Sequence, residues 1–103
     1  MRKINNKKFS LLNKEDVGKK YEFKSLVENV IQTSGPTIFT LNDGSEKFKT
    51  TGLKKKKKRA YPYIKPNDCV KVEILIKERK GSLEGEIIKI KKIDQNQCSK
   101  LVE

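Results

Sequence analysis

The sequence predicts an all-β fold, a small five-stranded barrel, and three observations carry that prediction. Five runs rich in β-branched and aromatic residues lie between turn signals. Asn42-Asp43-Gly44 and Glu78-Arg79-Lys80-Gly81-Ser82 each separate two such runs as the tip of a hairpin does. The length, 103 residues with 34% hydrophobic and 37% charged side chains, leaves room for one domain with one small, regular core.

Taken in order, residues 1–17 are a basic N-terminal lead-in, partly flexible, in which Phe9, Leu11 and Leu12 are the clustered apolar side chains that can pack onto a barrel. Asn13 and the acidic residues after it supply capping chemistry, and residues 17–20 turn into the first strand. That strand, residues 21–31, is the longest β-like run. Tyr21, Phe23 and Val27 share one parity and Leu26 and Val30 the other, and the alternation breaks at 25–27. A β-bulge makes such a phase change, and a strand that bends around a barrel needs one. Phe23, Val27 and Val30 are the expected core residues.

Residues 32–36 form a loop that turns at Gly35-Pro36, and residues 37–41 and 46–51 pair about the 42–45 turn. Phe39 and Leu41 point inward. Ile38 and Thr40 then share the other face with Lys47 and Lys49 of the return strand. Residues 52–67 show no strand or helix period, and Pro62 and Pro66 exclude a helix through their second half. Tyr61 and Ile64 are expected to plug one end of the barrel. Residues 69–77 alternate with Val70, Val72, Ile74 and Ile76 on one face. Residues 83–94 return with Leu83, Gly85 and Ile87 out of step with Ile88 and Ile90, a second phase shift made by a glycine or a bulge. Residues 95–103 are a polar C-terminal tail.

One long bent strand, a hairpin, a connector and a second hairpin have the count and order of an OB-fold Greek-key barrel, with a basic loop between strands three and four and the OB domain at residues 18–94. An SH3-like barrel is the alternative, with shorter strands and differently placed loops. An OB barrel binds across its second and third strands, between the loop joining strands one and two and the loop joining strands four and five. Here those loops are 32–36 and 78–82.

The charge fits that geometry. The formal net charge is +12, and residues 46–80 hold 13 Lys/Arg against 4 Asp/Glu. A cationic surface gathers a polyanion by field and by counterion release. Lys47, Lys49, Lys54, Lys55, Lys56, Lys57, Lys58, Arg59, Lys77, Arg79 and Lys80 are the candidates to track a phosphate backbone. Ile38 and Thr40 would floor the groove, or belong to an ordinary solvated sheet face. Phe48 and Tyr63 are the candidate exposed stacking rings, with packing roles for Phe9, Tyr21, Phe23, Phe39 and Tyr61. The lysine run admits three readings: a solvated loop, a clamp over the groove, or a nuclear import signal.

Other chemistry has little support. The chain has no histidine, and Cys69 and Cys98 alone cannot build a tetrahedral metal site. Cys69 reads as a small packed residue at a strand start, and Cys98 as an inert thiol in the tail. Asp43, Asp68 and Glu84 are scattered on turns, so no enzyme, metal or cofactor is expected. No apolar run approaches the roughly 20 residues that span a bilayer, and residues 1–8 lack a signal peptide's apolar stretch, so the expected place is the cytoplasm, with no membrane partner.

The run from Val27 to Ser45 with its Gln32-Thr33-Ser34-Gly35-Pro36-Thr37 core and its Phe39-Thr40-Leu41-Asn42-Asp43-Gly44 continuation resembles a known domain. So do Arg59-Ala60-Tyr61-Pro62-Tyr63-Ile64 and Asn67-Asp68-Cys69-Val70. The resemblance is to the OB-fold nucleic-acid-binding domain attached to archaeal RecJ-like phosphoesterases of the DHH superfamily, itself related to domains of replication protein A. It spans about residues 18–94. Asn67 stands where such domains have glycine, the second motif carries the extra lysines, and Thr50 and Leu53 depart from the expected small residue and aromatic. The catalytic aspartates of the phosphoesterase are missing. The resemblance implies a binder of single-stranded DNA, or of RNA, either excised from or related to a DHH-type enzyme of replication or repair. The chain is expected to be a monomer in isolation, with a DHH-family catalytic domain or another replication or repair protein as partner. A domain that binds structured, tRNA-like RNA is the rival within binding, and a module that docks a larger enzyme or oligomerises is the rival from another class.

Overall fold

A computed structural model describes residues 8–53 and 61–98 of the chain. Five strands form: β1 (Lys20–Gln32), β2 (Thr37–Asn42), β3 (Lys47–Gly52), β4 (Cys69–Arg79) and β5 (Ser82–Lys92). They close into a barrel in the order β1-β2-β3-β5-β4, the five-stranded OB topology expected from the sequence. All pairs are antiparallel except β3 and β5, which meet in parallel at Thr50/Gly85 and Thr51/Glu86. That short seam shuts the barrel. Gly85 permits it, since a Cβ there would stand 2.3 Å from Ile74 Cγ2 and 3.0 Å from Phe48 Cε2.

Both phase changes are bulges. In β1 the pairing with β2 jumps from Val27/Leu41 to Asn29/Thr40, so Glu28 is the extra residue. The first half of β1 therefore pairs with β4 and its second half with β2. In β5 the pairing with β4 jumps between Lys89 and Ile87, which leaves Ile88 over and turns Ile87 and Ile90 both inward.

The alternating residues fill the interior. Val27, Phe39, Leu41, Val70, Val72, Ile74 and Ile76 are fully buried, with Phe23 beside them; Val30 is half-buried against the same cluster. Phe9, on a 3-10 turn (Phe9–Leu11), closes the end near the β2–β3 turn. Its ring lies 4.4 Å from Phe23 and 5.0 Å from Phe48, and its N–H donates to the buried Asp43 carboxylate. A second turn (Lys14–Asp16) has Asn13 and Asp16 in a reciprocal capping box. Asp16 also accepts from the Tyr21 hydroxyl, a bond that, with burial and the carboxylate's charge, pushes the phenol up from its ordinary value. The expected plug also holds: Ile64 is buried and Tyr61 half-buried, its ring 6.2 Å from Phe39.

The cysteines depart from expectation. Cys69 and Cys98 are not separate thiols: they form a disulfide, with Cα atoms 5.8 Å apart and both residues buried. β5 runs back along β4, so the chain leaving it passes the first residue of β4; Ile93 N–H donates to the Cys69 carbonyl. The 3-10 turn Gln95–Cys98 then folds in, and residues 95–98 are clipped to the barrel. Asn67 takes the left-handed conformation at φ 75° that glycine would supply, consistent with asparagine's tolerance of it.

Candidate nucleic-acid interface

The outer face of β1–β2–β3 follows from the Glu28 bulge. Beyond it, Asn29 and Ile31 face outward beside Thr40 and Ile38, and β3 adds Lys49 and Thr51. Two rows cross the three strands, Asn29–Thr40–Lys49 and Ile31–Ile38–Thr51. Ile31, which the sequence reading passed over, is 45% exposed there.

Two loops wall this face. The β1–β2 loop is held in shape by Thr33, whose hydroxyl donates to the Pro36 carbonyl (2.6 Å) and accepts from the Gly35 N–H (3.0 Å). The β4–β5 hairpin turns on Lys80 (φ 52°) and Gly81 (φ 81°), the two left-handed residues of a tight turn that matches strand twist. Between the loops lies a groove of about 720 Å³. Thr33, Pro36 and Ile38 line one side, Lys49 the floor, and Arg79, Lys80, Ser82, Leu83 and Glu84 the other side. Among the described residues no ion pair engages Lys49, Arg79 or Lys80. Three cations unpaired among the described residues therefore face one carboxylate, Glu84.

The other candidates scatter. Lys47 pairs with Glu28 at 3.1 Å, and Asn42 donates to the same carboxylate at 2.6 Å; the amide first, then the ammonium, hold Glu28 below its ordinary range. Lys77 pairs with Glu86. Thr40 adjoins Lys49 on the same face but does not line the groove. Phe48, expected as a stacking ring, is in the core instead: it lies opposite the inward Leu41, so the pleat turns it inward between the outward Lys47 and Lys49. Tyr63 is 51% exposed, but its hydroxyl donates to the Ile90 carbonyl, toward the far end of β5 from Glu84. Lys54, Lys55, Lys56, Lys57, Lys58 and Arg59 lie outside the described residues. Among the described residues no three His, Cys, Asp or Glu side chains gather as a metal site.

A closed five-stranded barrel with a cationic groove over β2–β3 is an OB domain in form. No family model matches the chain. It is 33% identical over 75 residues to the uncharacterized protein MJ1198 of Methanocaldococcus jannaschii, a match that takes in 73% of the chain and 10% of that protein. Thus the chain spans about a tenth of that relative's length. Its fold is similar to Schizosaccharomyces pombe Pot1pC bound to single-stranded DNA (TM-score 0.75, 13% identity, 94% of this chain and 96% of that one). It is also similar to a chain of a replication protein A heterotrimer bound to single-stranded DNA (0.64, 16%, 80% and 64%). A third likeness is to asparaginyl-tRNA synthetase of Pyrococcus horikoshii (0.73, 16%, 89% and 23%).

Proposed function

We propose that the chain is a single-stranded nucleic-acid-binding OB module that favours DNA with little sequence preference and has no catalytic chemistry of its own. The observation that carries this reading is the groove in which Lys49, Arg79 and Lys80, unpaired among the described residues, converge beside the apolar Ile38 and Leu83. Phosphates would take the three cations; bases would lie against Ile31, Ile38 and Leu83. Contacts of that kind read the backbone and not the base edges. The solved relatives that hold single-stranded DNA support the ligand class. The module would serve in the cytoplasm as an accessory domain of a DHH-type phosphoesterase or nuclease, or as a stand-alone relative, in replication or repair. Its alignment to a tenth of a longer archaeal protein suits a module of that kind.

The test is fluorescence anisotropy of labelled oligo-dT, oligo-U and a duplex at three salt concentrations. With about five phosphates neutralised, log K should fall against log salt with a slope of about −3.5. Arg79→Ala with Lys80→Ala should weaken single-strand binding and make that slope shallower by about 1.4. A preference for U over dT would move the reading to RNA. Flat anisotropy at the lowest salt would defeat it in favour of a protein-docking module.

A further inference from the structure

A second cleft, of about 520 Å³, opens on the outer face of β1, β4 and β5 and shares no lining residue with the groove above. Tyr61 and Ile88 are its apolar lining, with the inward-turned Ile90 at its edge; Lys71, Lys89 and Lys91 line it together with two carboxylates, Glu22 and Glu73. Building on the reading of the chain as a single-strand binder, we propose that this cleft holds a second segment of the same strand, with bases against Tyr61, Ile88 and the adjoining Tyr63 ring and phosphates on the lysines.

Three features point to a polyanion with bases. Lys24, Lys71 and Lys91 lie directly opposite one another across β1, β4 and β5, a row of like charges that destabilises a sheet unless an anion lies over it. Glu22 offsets Lys71 at 3.6 Å and Glu73 lies across the ladder from Lys89, so the lining carries three lysines against two carboxylates; among the described residues no ion pair takes Lys89 or Lys91. Next, Tyr63 keeps a half-exposed ring fixed through its hydroxyl on Ile90, an edge of the cleft, so a base can stack on it without freezing a free rotor. Last, the Ile88 bulge and the left-handed Tyr61 (φ 48°) are departures from regular backbone at the cleft itself, and such departures collect at binding sites. β5 joins the two sites. Leu83 lines the first and Ile88 the second, about 16 Å along the strand, so one oligonucleotide can reach both.

Binding is measured for oligo-dT of about 5 and of about 16 nucleotides, the range of footprints for single OB folds. Lys89→Ala with Lys91→Ala, both at exposed positions, should weaken the long oligonucleotide about tenfold and reduce its salt slope by about 1.4, and leave the short one unchanged. Tyr63→Ala should also weaken only the long one. Arg79→Ala with Lys80→Ala should weaken both. Long-oligonucleotide affinity and slope unchanged in the first two variants, with the third impaired, would overturn the second cleft alone and leave its lysines to an acidic protein partner. Failure of the wild type to bind either length would overturn the parent reading and this one with it.

Discussion

Single atoms decide the closure of the barrel. Gly85 lies where β3 and β5 meet, and the nearest atoms to an added Cβ belong to the core side chains of Ile74, Phe48 and Thr50, which cannot swing aside into solvent. Gly85→Ala should therefore cost about 1–3 kcal/mol, read as a lower urea midpoint at unchanged m-value. A variant as stable as wild type would mean that the seam is looser than its packing implies. Glu28 gives a pH dependence at the same scale. Because its folded carboxyl titrates below the ordinary value of 4.5, the folded state binds that proton less tightly than the unfolded chain does. The stabilisation is full above the ordinary value and drains as pH falls through the lower folded one. Glu28→Gln should cost under about 1 kcal/mol at neutral pH, and the gap between variant and wild type should narrow on acid titration.

At the scale of elements, the disulfide fixes what strand pairing alone does not. It joins the first residue of β4 to the turn after β5, across a separation of 29 residues, and a link of that length removes about 3–4 kcal/mol of chain entropy from the unfolded state. Cys98→Ser should lower the thermal midpoint by an amount that a reductant reproduces in the wild type, while the groove residues Lys49, Arg79 and Lys80 keep their oligonucleotide affinity. The sequence alone hid this pair, because Cys98 follows a polar stretch and only the return of β5 along β4 brings it to Cys69. The strands were legible, since side-chain alternation and turn residues are local signals. So was the first bulge, marked by the broken parity near Val27, although the surplus residue is Glu28. Phe48 was legible and misread: a residue between outward Lys47 and Lys49 on a strand faces the core. Tyr63 is exposed as expected, but its place at Ile90 and not at the groove was not legible, because the prolines and tyrosines of its connector have no period from which a direction can be taken.

For the whole molecule, the question is how a formal charge of +12 is divided between field and contact. The groove over β2–β3 shows three cations unpaired among the described residues, and the lysine run that follows β3 holds six more. A field acts at a distance: it speeds encounter, is screened within about 10 Å at moderate salt, and leaves dissociation nearly untouched. A contact acts after encounter, releases counterions, and holds the bound strand. Replacing Lys54, Lys55, Lys56, Lys57, Lys58 and Arg59 by serine halves the formal charge and separates the two. If the run contacts phosphates, stopped-flow measurement with oligo-dT should give a faster dissociation rate and a salt slope shallower by about 0.7 for each phosphate released. A loss confined to the association rate would assign the run to the field, and the hold on the strand to the groove residues Lys49, Arg79 and Lys80.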